Sequence, residues 1–226
     1  MEFEPLYLSF KLAFFTTLLL FSFCIPFSYF LMTLRPRLRS LIEASANLPL
    51  VLPPTVLGFY LLICLAPNSP IGQFLDSHLS IRFLFTFQGL VLASFIYSFP
   101  FMFQPILASF LSFPRSILEL SSVLGKTKIN TLRTVVIPLV SPALVKACMM
   151  TFAHTIGEFG VILMVGGNIP GETRVASVAI YDHFENMNYD QAQLMSIVLL
   201  VISFILLWLM AYLTNKDYLR NATGNK

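Results

Sequence analysis

Long uncharged apolar runs alternate with short polar breaks along the 226-residue chain. Four of them, Leu12–Leu34, Ala44–Pro67, Phe83–Pro114 and Ala192–Leu213, contain no Asp, Glu, Lys or Arg. A fifth, Pro142–Val165, carries Lys146, His154 and Glu158 but is otherwise apolar. A helix crosses ~30 Å of hydrocarbon with ~20 residues, so the pattern predicts five membrane spans and leaves a sixth open. The runs lack the apolar/polar alternation of transmembrane β-strands, which excludes a β-barrel. The predicted class is all-α: a polytopic membrane helical bundle.

Composition agrees. With 57% hydrophobic residues, 11% charged residues and 23 Phe, the chain is too apolar to bury its side chains in one water-soluble core. Lys and Arg beside spans are retained on the cytoplasmic side. If the first span runs inward, 11 of the 14 cations lie inside and only Lys11, Arg82 and Arg174 lie outside. That split predicts an N-terminus outside and a C-terminus in the cytoplasm. The first run reads as a retained span, because Glu2 and Glu4 replace a basic leader and Arg35-Pro36-Arg37 follows as a stop. Cys24, Cys64 and Cys148 sit singly in apolar segments, with no spacing for a metal or a disulfide framework. One transmembrane domain over residues 8–214 is expected, with a short cytoplasmic tail over 215–226.

One long polar island, Ser116 to Leu139, interrupts the pattern, and a cytoplasmic loop is expected over 115–138. Its centre, Gly125-Lys126-Thr127, spells the end of a phosphate-binding loop. Such a loop also needs glycine five positions earlier, and here that position is Leu120, with no strand leading in. Ser116 and Glu119 instead have the spacing of a capping box. A short helix would run to Leu124, Gly125 would end it in the left-handed conformation, and a second helix from about Lys128 would stop ahead of Pro138. Leu118, Leu120, Val123 and Leu124 would give the first helix an apolar face, suited to a partner's groove or to the membrane surface.

Glu119, Gly125 six positions on, and Val135-Val136-Ile137-Pro138 together resemble the cytoplasmic signature of ABC importer permeases, E-A-A-x-x-x-G followed nine residues later by I-x-L-P. The spacing matches throughout; Leu120-Ser121 replace the alanines, Val135 the isoleucine and Ile137 the leucine. "NLPLVLPPTVLGFYLL" (Asn47–Leu62), "SFPFMFQPI" (Ser98–Ile106) and "GEFGVILMVGGNIPGETRVASVAIY" (Gly157–Tyr181) are similar to the molybdate branch of that family. The likeness covers roughly residues 8 to 214 and implies a type I ABC importer permease-like fold. Sulfate permeases are similar around Gly157–Pro170 and form the alternative; tungstate is not separable from molybdate. In such permeases the island is a coupling helix that docks on a separate ATPase subunit, which implicates Glu119, Leu120, Ser121, Gly125, Ile137 and Pro138.

Candidate pathway residues come from broken patterns. Pro49, Pro53, Pro54, Pro100 and Pro105 interrupt the second and third spans. Prolines inside spans are tolerated where neighbours or a watery cavity satisfy the freed backbone, so Pro53, Pro54 and Gly58 are gate candidates, with static kinks as the alternative. His154 and Glu158 lie four apart, on one face of the fifth span if it stays helical. Counting from Pro142 puts Glu158 roughly 24 Å along, near the outer end, where Gly157 and Gly160 can let the chain turn. The pair is expected to hydrogen-bond the outer gate or the following loop. Asn168–Asp190 is the main external loop. It is either an ordinary solvated loop or, through Glu172 and Arg174, the surface that receives a binding protein.

The expected function is the permease subunit of an ATP-driven oxyanion importer, not an enzyme, with no cofactor or metal. The resemblance implies a homodimer, two ABC ATPase subunits, an extracytoplasmic oxyanion-binding protein and a lipid bilayer in the bacterial inner membrane, without nucleic acid. An ATPase-independent anion transporter or channel would need coupling residues or a selectivity ring inside the spans. A membrane enzyme would need a nucleophile, base or metal cluster. Beyond His154 and Glu158 the spans offer neither.

Overall fold

A computed structural model describes residues 3–79 and 81–223, the side chains of 79, 115, 118, 128 and 214–223 excepted, and it is helical throughout. The chain begins with α1 (Glu4–Met32), whose Pro5 falls at the first turn, where a missing N–H costs nothing. Pro36 likewise opens α2 (Pro36–Ala46), followed by the single turn α3 (Leu48–Val51), α4 (Pro54–Leu65) and α5 (Pro70–Phe74), which continues as a π-helical turn over Leu75–Leu79. Next come α6 (Phe87–Leu111), α7 (Arg115–Val123) and α8 (Lys128–Thr131). A π-turn over Leu132–Val136 joins α8 to α9 (Ile137–Ile156). The chain ends with α10 (Gly160–Gly166), α11 (Ala176–Glu185) and α12 (Tyr189–Thr223), which extends into the segment expected to be tail.

The core is the triad α1, α6 and α9. Aromatic rings pair in ascending order along α1 and α6: Phe15 with Phe87, Phe23 with Phe95, Phe27 with Phe103 and Tyr29 with Phe110. The two helices therefore run parallel. Helix α9 runs against them, since Thr155 near its end meets Ser98 while Val136 and Val140 at its start join the cluster around Phe110 and Phe113. This geometry puts the end of α1, the island and the start of α9 on one side of the bundle. The loop after α10 and the start of α1 share the opposite side, where the Ala176 N–H donates to Ser9 Oγ at 2.8 Å.

Among the described residues four helices are long and apolar enough to cross a membrane: Glu4–Met32, Phe87–Leu111, Ile129–Ile156 and Tyr189–Leu213. The pair Pro54–Leu65 and Pro70–His78, bent by 49°, passes the same test together and makes a fifth crossing if it is one broken span. This matches the expected class and count but moves two spans. The second run does not form one helix over Ala44–Pro67. Pro53 and Pro54 supply no N–H, Leu52 and Pro53 turn extended, and a new helix starts at Pro54. The fifth run does not hold together from Pro142 to Val165 either. Its helix starts earlier and ends at Ile156, and α10 packs separately on α4 and α6. Helix α12 keeps most of its apolar surface outside the bundle, with Leu200, Phe204 and Trp208 each more than 60% exposed. That surface needs hydrocarbon or another chain.

Candidate functional site

The island folds as a helix, a turn and a second helix, with two departures from expectation. Helix α7 starts at Arg115 behind Pro114, whose extended backbone (φ −60°, ψ 122°) supplies the cap position without a side-chain bond. Ser116 therefore already lies inside the helix and forms no capping box with Glu119. The Glu119 carbonyl accepts a hydrogen bond from Ser122 Oγ at 2.6 Å. Along α7, Ser121 faces inward, its hydroxyl on the Ile117 carbonyl at 2.9 Å, and Ile117 packs on the main core. Leu120, Val123 and Leu124 point outward, 59–82% exposed, as does Ile129; Leu118, expected on the same face, lies outside the described side chains.

Gly125-Lys126-Thr127 receives a local structural meaning. The Lys126 N–H donates to the Ser121 carbonyl and the Gly125 N–H to that of Ser122, both at 3.0 Å, which is the Schellman closure of a helix. Gly125 takes φ +72°, and a Cβ there would meet nothing within 4 Å. Conformation, not crowding, calls for the glycine. Lys126 Nζ donates to Thr134 Oγ1 at 3.1 Å, and Thr127 Oγ1 accepts from the Asn130 N–H at 3.3 Å at the next helix start. The second helix does not stop ahead of Pro138. The π-turn over Leu132–Val136 absorbs the missing N–H, so Ile137 and Pro138 lie in the first turn of α9 and the helix continues into the membrane.

The gate candidates separate into two places. Pro53 and Pro54 do not kink a helix; they begin α4. Gly58, one turn on, lets α10 approach so closely that an added Cβ would lie 2.8 Å from Met164 Cβ and 3.2 Å from Val161 Cα. Gly160 returns the contact, its notional Cβ 3.0 Å from Pro54 Cβ. Small residues at helix crossings are how apolar helices associate in lipid. Pro100 and Pro105 remain inside a continuous α6.

His154 and Glu158 do not share a helical face, because α9 ends at Ile156 with Gly157 as its cap. The His154 ring stacks on Phe101 at 3.9 Å, and its Nδ1 lies 2.9 Å from Ser98 Oγ. Ser98 also meets Thr155 Oγ1 at 2.9 Å, and that hydroxyl donates to the Thr151 carbonyl. Glu158 sits in the break before α10, with 4% of its surface exposed. Its carbonyl accepts from Ser177 Oγ at 2.6 Å, whereas neither carboxyl oxygen has a hydrogen-bond partner among the described residues. Ser94 of α6 lies beside it without reaching hydrogen-bond geometry. The Ser98–His154–Thr155 cluster escapes sequence reasoning because Ser98 is 56 positions from His154.

The external loop is mostly ordered by its own contacts. Thr173, fully buried, donates to the Gly166 carbonyl at 2.7 Å and accepts from the Ile169 N–H at 3.0 Å. Gly167 and Gly171 take φ of +64° and +79°, turning the chain on either side of Pro170. Arg174 pairs with Asp182 at 2.7 Å, and Asn168 donates to the other oxygen of the same carboxylate at 2.8 Å. The segment read as a loop thus contains α11, with Arg174 held against it and Glu172 exposed. The hydrogen bond from Tyr181 to Glu185, at 2.5 Å on the outer surface of α11, raises the phenol above its ordinary pKa.

Residues 12–216 match the family described as "Binding-protein-dependent transport system inner membrane component". The chain belongs to that family. The permease is 46% identical over 202 residues to the molybdenum transport system permease protein ModB of Azotobacter vinelandii, covering 89% of both chains. It is 31% identical over 170 residues to the sulfate transport system permease protein CysT of Salmonella typhimurium, covering 75% of this permease and 61% of that protein. Its fold is similar to a bacterial ABC transporter involved in the import of the acidic polysaccharide alginate, with a TM-score of 0.76 at 15% identity over 94% of this chain and 78% of that one. The permease is accordingly a multi-pass inner-membrane component of a binding-protein-dependent importer.

Proposed function

We propose that this permease forms the membrane pathway of an ATP-driven molybdate importer, with tungstate as a cargo of the same charge and shape. The observation that carries the reading is the 46% identity over 89% of a molybdenum permease's length. Sulfate stands behind it: the chain spans only 61% of the sulfate relative. Two copies of the permease pair around the pathway, two ATPase subunits dock on the islands, and a solute-binding protein docks opposite. The exposed Leu120, Val123 and Leu124 of α7 support docking, because an apolar face left uncovered at the end of the bundle suits a partner's cleft.

In this reading the N-terminus is outside and the C-terminus in the cytoplasm, supported by the cation pattern of the sequence, which puts 11 of 14 Lys and Arg inside if the first span runs inward. Closure of the ATPases on ATP draws the islands together. Because α8 runs through the π-turn into α9 without a break, the displacement passes along α9 to its end at Gly157. There the α4–α10 contact around Pro53, Pro54 and Gly58, with His154 and Glu158 nearby in sequence, forms the gate, and Glu172 and Arg174 face the binding protein. Cargo is held by hydroxyls and backbone N–H groups without a tight cationic site, so selection belongs to the binding protein. Reconstitution into vesicles with and without the ATPase tests this: molybdate uptake should require ATPase, ATP and binding protein together. Uptake driven by an ion gradient without the ATPase would overturn it.

A further inference from the structure

A groove of about 620 Å³ runs between α1 and α6 on the outside of the bundle, and the transport reading leaves it unused. Its apolar walls include Phe15, Leu19, Phe83, Phe87, Val91 and Phe95. Two polar side chains line it, Lys11 and Gln88, both at the end where α1 and α6 begin. Lys11 Nζ stands 4.5 Å above the Phe87 ring, a cation–π contact. Among the described residues it has no carboxylate partner; the nearby cation Arg82 is already bound by Asp76 at 3.0 Å. The groove is therefore amphiphilic along its length, with an uncompensated cation at one end and hydrocarbon walls below.

We propose that this groove binds one acyl chain of an anionic phospholipid, with Lys11 on the headgroup phosphate and Gln88 beside the ester region. Three features select this occupant. From Lys11 to Leu19 is eight residues, roughly 12 Å of helix, close to the depth of one leaflet of a ~30 Å hydrocarbon core. Lys11 stands level with the first turn of α6, where the apolar run starts and headgroups lie. An inorganic oxyanion would satisfy Lys11 but leave the phenylalanine walls unfilled, and a zwitterionic lipid would fill the walls but offset the phosphate charge. The orientation proposed above decides which leaflet supplies the lipid; binding itself does not depend on it.

The test uses the full chain, delipidated in neutral detergent, with thermal unfolding followed as phosphatidylglycerol, phosphatidylcholine of the same chains, or inorganic phosphate is added. Phosphatidylglycerol should raise the unfolding temperature more than phosphatidylcholine, and inorganic phosphate should not raise it. Lys11→Gln should weaken phosphatidylglycerol binding about fivefold, the contribution of one Lys near an anionic lipid surface, and Lys11→Arg should retain it. Val91→Trp, which fills the groove, should abolish the difference between the lipids while the chain stays folded. Equal effects of the two lipids, an equal effect of inorganic phosphate, or an unchanged preference in Lys11→Gln would overturn the proposal. Efficient disulfide pairing of Leu19→Cys between two chains would also overturn it, since a second copy would then cover the groove.

Discussion

Gly58 offers the sharpest test of how α4 and α10 meet. In Gly58→Ala the new Cβ would stand 2.8 Å from Met164 Cβ and 3.2 Å from Val161 Cα. Carbon atoms rest at ~3.5–4.0 Å, so the helices must part by roughly 0.7 Å. Neither contact is the far end of a flexible side chain, and rotamer changes cannot relieve them. Overpacking of this kind costs about 1–3 kcal/mol, offset by about 1 kcal/mol of helix propensity gained by alanine. The alanine variant should lose about 0–2 kcal/mol. Gly58→Val adds two methyl groups and gives back part of the propensity, for a loss of about 2–3 kcal/mol, or roughly 4–12 °C in unfolding temperature. Adding Met164→Ala to the valine variant should restore only part, because Met164 Cβ and the Val161 backbone remain. The assays are thermal unfolding of the purified chain and ATP-driven uptake in vesicles. A valine variant with the parent's unfolding temperature and uptake would refute both the packing argument and the gate assignment.

The other predictions concern the island and the external loop. Gly125→Asp should insert and fold, since nothing lies within 4 Å of the new Cβ and Asp tolerates the left-handed region at a cost of roughly 1 kcal/mol; it should lose co-purification with the ATPase, and normal co-purification would exclude the docking role. Leu120→Ser with Val123→Ser should leave the unfolding temperature within experimental error, both side chains being exposed, while reducing ATPase association measured by pull-down. Thr173→Val should destabilise the chain by about 1–3 kcal/mol, because it leaves the buried Gly166 carbonyl without a partner and removes the acceptor of the half-buried Ile169 N–H, and should expose the 167–175 segment to protease. Charge reversal at Glu172 and Arg174 should weaken binding-protein-stimulated ATP hydrolysis; unchanged stimulation would leave the loop a solvated one.

The island was largely legible because its instructions are local. A glycine that ends one helix and apolar residues at helical spacing act within a few residues of themselves, and the structure keeps both. The two misreadings there are also local competitions. Pro114 takes the cap position ahead of Ser116, and a π-turn accommodates Pro138 where a helix end was expected. His154 and Glu158 were harder, because their shared face depended on a helix that breaks between them.

The apolar runs by themselves determined that this chain lives in a bilayer as a polytopic helical bundle, since hydrocarbon thickness and backbone hydrogen bonding leave a long uncharged segment few alternatives. Resemblance to a family signature implied the partners of the island. Tertiary structure decided where the helices actually break: at Leu52–Pro53 and at Gly157–Phe159, so that α10 lies against Gly58 of α4. It also decided that Glu158 is enclosed, that His154 stacks on Phe101, and that the α1–α6 seam leaves a groove below Lys11. Hydropathy is a sum over one segment and is read in order along the chain. Close approach, enclosure and an unpaired charge are relations between segments far apart in sequence, and only packing brings them together.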